Sequence, residues 1–72
     1  MSAVEVAEGT EAVEVQFIEV GDVIQFNDGR RLVVASDHGV TAFFQLTQVI
    51  GFMGDEREFS FPWGDMLQRV IR

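Results

Sequence analysis

The chain has 72 residues, a formal net charge of −7, no cysteine and a single histidine. That length holds one domain and no second, and so small a domain buries only about 60% of the surface its unfolded chain exposes. The composition excludes the usual external supports, because disulfides and thiolate zinc sites need Cys and multi-histidine metal centres need more than one His; a dense core or association with other chains remains.

Residues 1–10 are small, acidic and weakly patterned, and Gly9-Thr10 breaks them. They are expected to form a mobile tail or a loose edge strand ahead of one small β domain over 11–72. From Val13 the pattern alternates: Val13, Val15 and Phe17 point one way, Glu14 and Gln16 the other, as in a half-buried strand. Gly21-Asp22 turns the chain into a second short strand, Val23 to Phe26. Asn27-Asp28-Gly29 is a tight-hairpin signal, because Gly accepts the positive φ such turns need. Arg31 to Ser36 is the return strand, and Asp37-His38-Gly39 reads as the next turn. Val40 to Leu46 is expected as a fourth strand with Val40, Ala42, Phe44 and Leu46 on one face. Gln48 to Met53 is a fifth. The polar stretch Gly54-Asp55-Glu56-Arg57 is a hairpin loop, and Glu58 to Phe61 is a sixth strand, which Pro62 stops because it cannot donate to the ladder.

After Pro62 the period changes. Trp63, Met66/Leu67 and Val70/Ile71 recur at helical spacing, with Pro and Asp65 near the first turn. A short C-terminal helix packed on the sheet is expected there. The alternative is a single 3-10 turn at Pro62–Met66 followed by a final strand, Leu67–Arg72.

Short strands joined by tight turns point to a mainly β fold, a small barrel or strongly bent antiparallel sheet of five to six strands. Within it, Val20-Gly21-Asp22-Val23-Ile24-Gln25-Phe26-Asn27-Asp28-Gly29-Arg30 resembles the opening of SH3-like small barrels of the KOW and Tudor kind, which often begin with a Gly-Asp turn, an alternating strand and an Asp-Gly hairpin. The resemblance covers about eleven residues and implies a fold rather than a function. Tudor-type domains hold methylated side chains in an aromatic cage, and Arg31-Leu32-Val33-Val34 supplies no aromatic. KOW-type domains present basic residues to RNA, and only Arg30 and Arg31 stand in the matching strand. No functional residue carries over from either family.

Reactive constellations are absent from the sequence. Ser36-Asp37-His38 holds the residue types of a catalytic triad, but triad members converge from separate positions, whereas neighbours on a turn diverge. Asp37 and His38 lack the further ligands of a structural metal site. Asp55, Glu56 and Glu58 lack the alternating spacing of a calcium loop. Five of the seven glycines lie at predicted turns, and none falls in a phosphate-binding pattern. The chain is therefore read as non-enzymatic, with no cofactor and no metal. No apolar run reaches 18 residues, and no basic residue precedes Arg30 as a secretory signal would require, so cytoplasm is the expected location.

Charge and apolar surplus carry the functional expectation. Residues 1–29 hold seven acids and no base, while residues 30–72 balance five acids against five Arg. Direct binding to nucleic acid or to an anionic membrane is not expected, because phosphate affinity rests on Lys and Arg. A basic protein surface is the partner this polarity suits, with Glu11, Glu14 and Glu19 steering it. If Phe17, Ile24, Phe26, Leu32, Val34, Val40, Ala42, Phe44, Leu46, Ile50, Phe52, Phe59 and Phe61 fill one core, then Phe43, Met53, Trp63 and Met66 are left for a second apolar surface. Three readings follow. The first is a docking module, an adaptor or small inhibitor that binds another protein through that surface. The second is a nucleic-acid mimic of the phage anti-restriction or anti-CRISPR type, motivated by Glu5, Glu8, Glu11 and Glu14 at every third position. The third is a homo-oligomeric structural or assembly protein, such as a ring-forming phage component, that buries the second surface against its own copies.

Overall fold

A computed structural model describes residues 8–71. The fold is mainly β, one open antiparallel sheet of six strands: β1 (Thr10–Glu14), β2 (Val23–Gln25), β3 (Arg31–Ala42), β4 (Gln45–Phe52), β5 (Glu58–Pro62) and β6 (Met66–Val70). Their order is β1-β6-β2-β3-β4-β5, so the last strand enters between the first and second. Most of the expected tail, residues 1–7 with Glu5 among them, lies outside the described residues; Thr10 is buried and opens β1.

The fully enclosed core is small: Val15, Ile18, Ile24, Val34, Ile50 and Phe52, with Val13, Phe26, Leu32, Phe59, Phe61 and Leu67 packed around it. Phe26, Phe52 and Phe59 form a row of rings with centroids 5.3 and 5.8 Å apart, the tilted contact that ring quadrupoles favour. Arg30 and Arg57 lie over the outer two rings, at 5.7 and 5.3 Å.

Four expectations are corrected. First, β1 ends at Glu14, and Val15–Phe17 is a 3-10 turn. Such a turn brings i and i+3 onto one side, so Val15 and Ile18 go inward and Phe17 is 61% exposed. Second, Asp37-His38-Gly39 is not a turn. β3 runs straight through it, after a bulge between Val34 and Ser36 that changes which residues face the core. Third, the chain reverses instead at Phe43-Phe44, between Ala42 and Gln45, so Phe44 leaves the expected core along with Val40, Ala42 and Leu46. Fourth, the C-terminal segment is a strand. Asp65 N–H closes a turn onto the Pro62 carbonyl at 3.1 Å, and Met66–Val70 then pairs with β1 and β2, as the alternative reading has it.

Three of the tight turns share one local sequence: an apolar residue, Gly, then Asp. In Glu19–Asp22, Phe52–Asp55 and Pro62–Asp65 the Asp N–H donates to the first residue's carbonyl, at 3.0, 3.2 and 3.1 Å. Gly21, Gly54 and Gly64 stand third in these turns with φ of 95°, 81° and 98°, a region open to Gly and costly to other residues. The second position is the outer corner, which explains why Val20, Met53 and Trp63 are 60%, 59% and 45% exposed.

Candidate functional site

The far half of the β3–β4 hairpin stands clear of the sheet. Only Val23–Gln25 of β2 pairs with β3, at Arg31–Val33, and β5 reaches along β4 only to Thr47. Beyond those points no strand among the described residues flanks the hairpin. Its last tie to the body is the Trp63 N–H, which donates to the Leu46 carbonyl at 3.0 Å.

The tip is a two-residue turn with Phe43 at φ 53° and Phe44 at φ 62°. Positive φ at both positions marks the type I′ hairpin turn, which Asn-Gly fills with least strain. A bulky L-residue there costs roughly 1–2 kcal/mol, so Phe-Phe is among the less stable choices. Both rings are in water, 99% and 105% exposed. From Gly39 to Gly54, sixteen consecutive residues carry no charged side chain.

The hairpin stem is braced by a polar relay. Gly39 lies opposite Gln48 in the register, and with no side chain there the Trp63 ring comes within 3.8 Å of where a Gly39 Cβ would be. Trp63 Nε1 donates to Gln48 Oε1 at 3.1 Å, and Gln48 Nε2 donates to Asp37 Oδ1. Gln48 is itself buried, 7% exposed. The relay gives an otherwise costly buried amide both partners it needs and fixes the indole against the stem.

A second apolar feature is an open cleft of about 390 Å³ between β1, β2 and β6 on one side and Phe61 of β5 on the other. Ala12, Ile24, Phe26, Phe61, Met66 and Leu67 are its apolar walls, and Gln25, Asn27 and Gln68 complete it. No lining side chain carries a charge. Met66, 49% exposed, stands at its rim.

The sequence-derived site residues thus fall into separate places. Phe43 is at the hairpin tip, Trp63 at the stem and Met66 in the cleft. Met53 follows the far end of β4, some 30 Å of strand from the tip at about 3.4 Å per residue. Glu11 and Glu14 share β1, where an odd and an even position face opposite sides. Glu11 is engaged by Arg69 at 3.4 Å, which also reaches the buried Asp22 at 3.5 Å. Glu14 accepts a 3.4 Å bond from Gln16, and Glu19 is exposed in the following loop. Phe44, at the tip, and the cleft escaped the sequence reading; the charge-free run from Gly39 to Gly54 is the signal that marks the hairpin.

Ser36, Asp37 and His38 do not converge. Ser36 pairs with Gly51 and His38 with Val49 on one face of β3, while Asp37 faces the other way toward Gln48. Among the described residues, no group of three or more His, Asp or Glu gathers to hold a metal ion, and no helix is long and apolar enough to cross a membrane. Compared with known families, curated proteins and solved structures, the chain matches none.

Proposed function

We propose that the protein is a non-enzymatic docking module whose anchor is the β3–β4 hairpin tip. One observation carries the reading: two phenylalanines hold a strained turn in the one place where neither packs against its own fold. Backbone strain kept at an exposed position points to use rather than stability. Exposed aromatic residues on a rigid stem are the usual energetic anchors of protein interfaces, and the Asp37–Gln48–Trp63 relay supplies the rigidity. The SH3-like kinship of Val20–Arg30 belongs to this reading. It is supported by the Asp28-Gly29 hairpin between β2 and β3 and by the six-stranded antiparallel sheet. The nucleic-acid mimic finds less support, since Glu11 and Glu14 face opposite ways and Glu11 is paired with Arg69.

The test is a double substitution, Phe43→Ser with Phe44→Ser, in a chain used as bait in cells of its source. Circular dichroism and thermal melting should show a folded domain, because neither ring contributes to the core. Partners captured by the natural chain should be lost. Retention of the same partners would remove the tip from the interface and the reading with it.

A further inference from the structure

We infer that the occupant of the cleft is a second copy of this chain, inserting Phe43 and Phe44 head to tail. The inference rests on the docking reading above and names its partner. Two complementary features stand on one molecule. The knob is a pair of exposed phenyl rings on an uncharged hairpin. The hole is an apolar cleft whose walls include Ile24, Phe26, Phe61, Met66 and Leu67, again without charge.

Size agrees. An apolar cavity of roughly 150 Å³ holds one benzene, so a cleft of about 390 Å³ has room for both rings. Charge agrees as well. Two copies carry −7 each and repel at long range, but neither the tip nor the cleft lining carries a charge; Glu14, opposite Met66 at the rim, is an acid beside the contact. Burying uncharged groups avoids the desolvation cost that charged ones carry. A partner recognised by its basic surface would meet the acidic residues instead, and neither the tip nor the cleft offers one.

The contact is modest in area. Two Phe side chains bury on the order of 300–500 Å². With a similar area of cleft wall the total reaches roughly 600–1,000 Å², below the range of stable pairwise interfaces. A single contact is therefore weak. Knob and hole are different surfaces, so head-to-tail repetition of the contact builds a ring or a filament, a two-copy ring with exchanged knobs being the smallest. In a closed ring every copy has both surfaces filled and the last contact forms within one assembly, which multiplies the affinity.

Light scattering after size exclusion tests this with five samples. The natural chain should show a mass that rises with concentration, and more so at high salt, since salt screens the repulsion between acidic copies. The knob variant (Phe43→Asn with Phe44→Gly) should stay monomeric. The hole variant, Met66→Glu, should also stay monomeric, and Ala12→Trp, which fills the cleft from an exposed position, is its independent partner. Mixed at the highest concentration, knob and hole variants should pair 1:1 and form nothing larger, because one intact knob meets one intact hole through a single weak contact. A natural chain that stays monomeric up to millimolar concentration overturns the inference, as does association that survives in the knob variant. The docking reading is judged separately: a monomeric natural chain whose tip variant loses its captured partner keeps the tip as an anchor and gives the cleft to no second copy. Association weakened by salt would also contradict the proposal, since it would mark contact through opposite charges.

Discussion

Replacing Phe43-Phe44 by Asn-Gly should make this protein more stable while removing its docking surface. Two bulky residues with φ of 53° and 62° each carry roughly 1–2 kcal/mol of left-handed strain, about 2–4 kcal/mol together. Asn tolerates that region and Gly is free in it. Against the gain stands the larger unfolded-state entropy of Gly, roughly 0.5–1 kcal/mol. No buried area is lost, because the rings are 99% and 105% exposed. The net expectation is a stabilisation of about 1–3 kcal/mol. In a domain of this size each kcal/mol moves Tm by about 4–8 °C, so the double variant should melt at least about 4 °C higher. The comparison belongs at low micromolar concentration, where association adds little to the apparent stability of the natural chain. An unchanged or lower Tm would show that the tip is not held in a strained type I′ turn, and the case for a strained anchor would fail.

Three other expectations follow from local contacts. A Cβ added at Gly51 overlaps Ser36 Oγ, so Gly51→Ala should cost about 1–3 kcal/mol of the kind seen for overpacking; adding Ser36→Ala should restore most of it, and a double-mutant cycle without coupling would refute the contact. Gln48→Leu removes both bonds of the relay and should lower stability by about 1–3 kcal/mol through the two lost hydrogen bonds, one of them to the Asp37 carboxylate, with a red shift of Trp63 fluorescence as the indole loosens; unchanged emission would show that the relay does not hold the ring. In acid, Asp28 and Asp55 matter: the Arg30 backbone N–H holds the first carboxyl below its ordinary value of 3.8, and the Arg57 guanidinium, then the Arg57 backbone N–H, does the same for the second. Lowered folded values contribute stability that is present above about pH 3.8 and lost as pH falls through the folded values. Urea titrations should therefore find Asp28→Asn with Asp55→Asn less stable than the natural chain at neutral pH, the gap closing in acid; a gap independent of pH would contradict the assignment.

Much of the sheet was legible because its signals are local. Asp28-Gly29 announced the β2–β3 hairpin, and Glu58–Phe61 alternated between polar and aromatic residues as β5 does. What stayed hidden depends on register. Asp37-His38-Gly39 has turn residues, yet the bulge after Val34 keeps them in the strand and puts Asp37 and Gly39 on the same face as Gln48 and beside the Trp63 ring. The reversal then falls on Phe43-Phe44, which no turn propensity suggests. β6 lies between β1 and β2 and is half-buried continuously from Leu67 to Val70, so it lacks the alternation that marks a strand with one wet face and its apolar spacing mimics a helix. Of the candidate site, Phe43, Trp63 and Met66 were visible as a surplus of apolar residues. Their division into tip, stem and cleft was not, because it follows from where the hairpin turns.

The most direct measurement places a photo-crosslinking benzoylphenylalanine at position 44 and mixes isotopically light and heavy copies at high concentration. Mass spectrometry then maps the crosslinks that join one copy to another. Crosslinks are expected from the tip to the cleft, at Ala12, Ile24–Asn27, Phe61 or Met66–Gln68. Crosslinks confined within single copies, or reaching a second copy anywhere outside those segments, would contradict it.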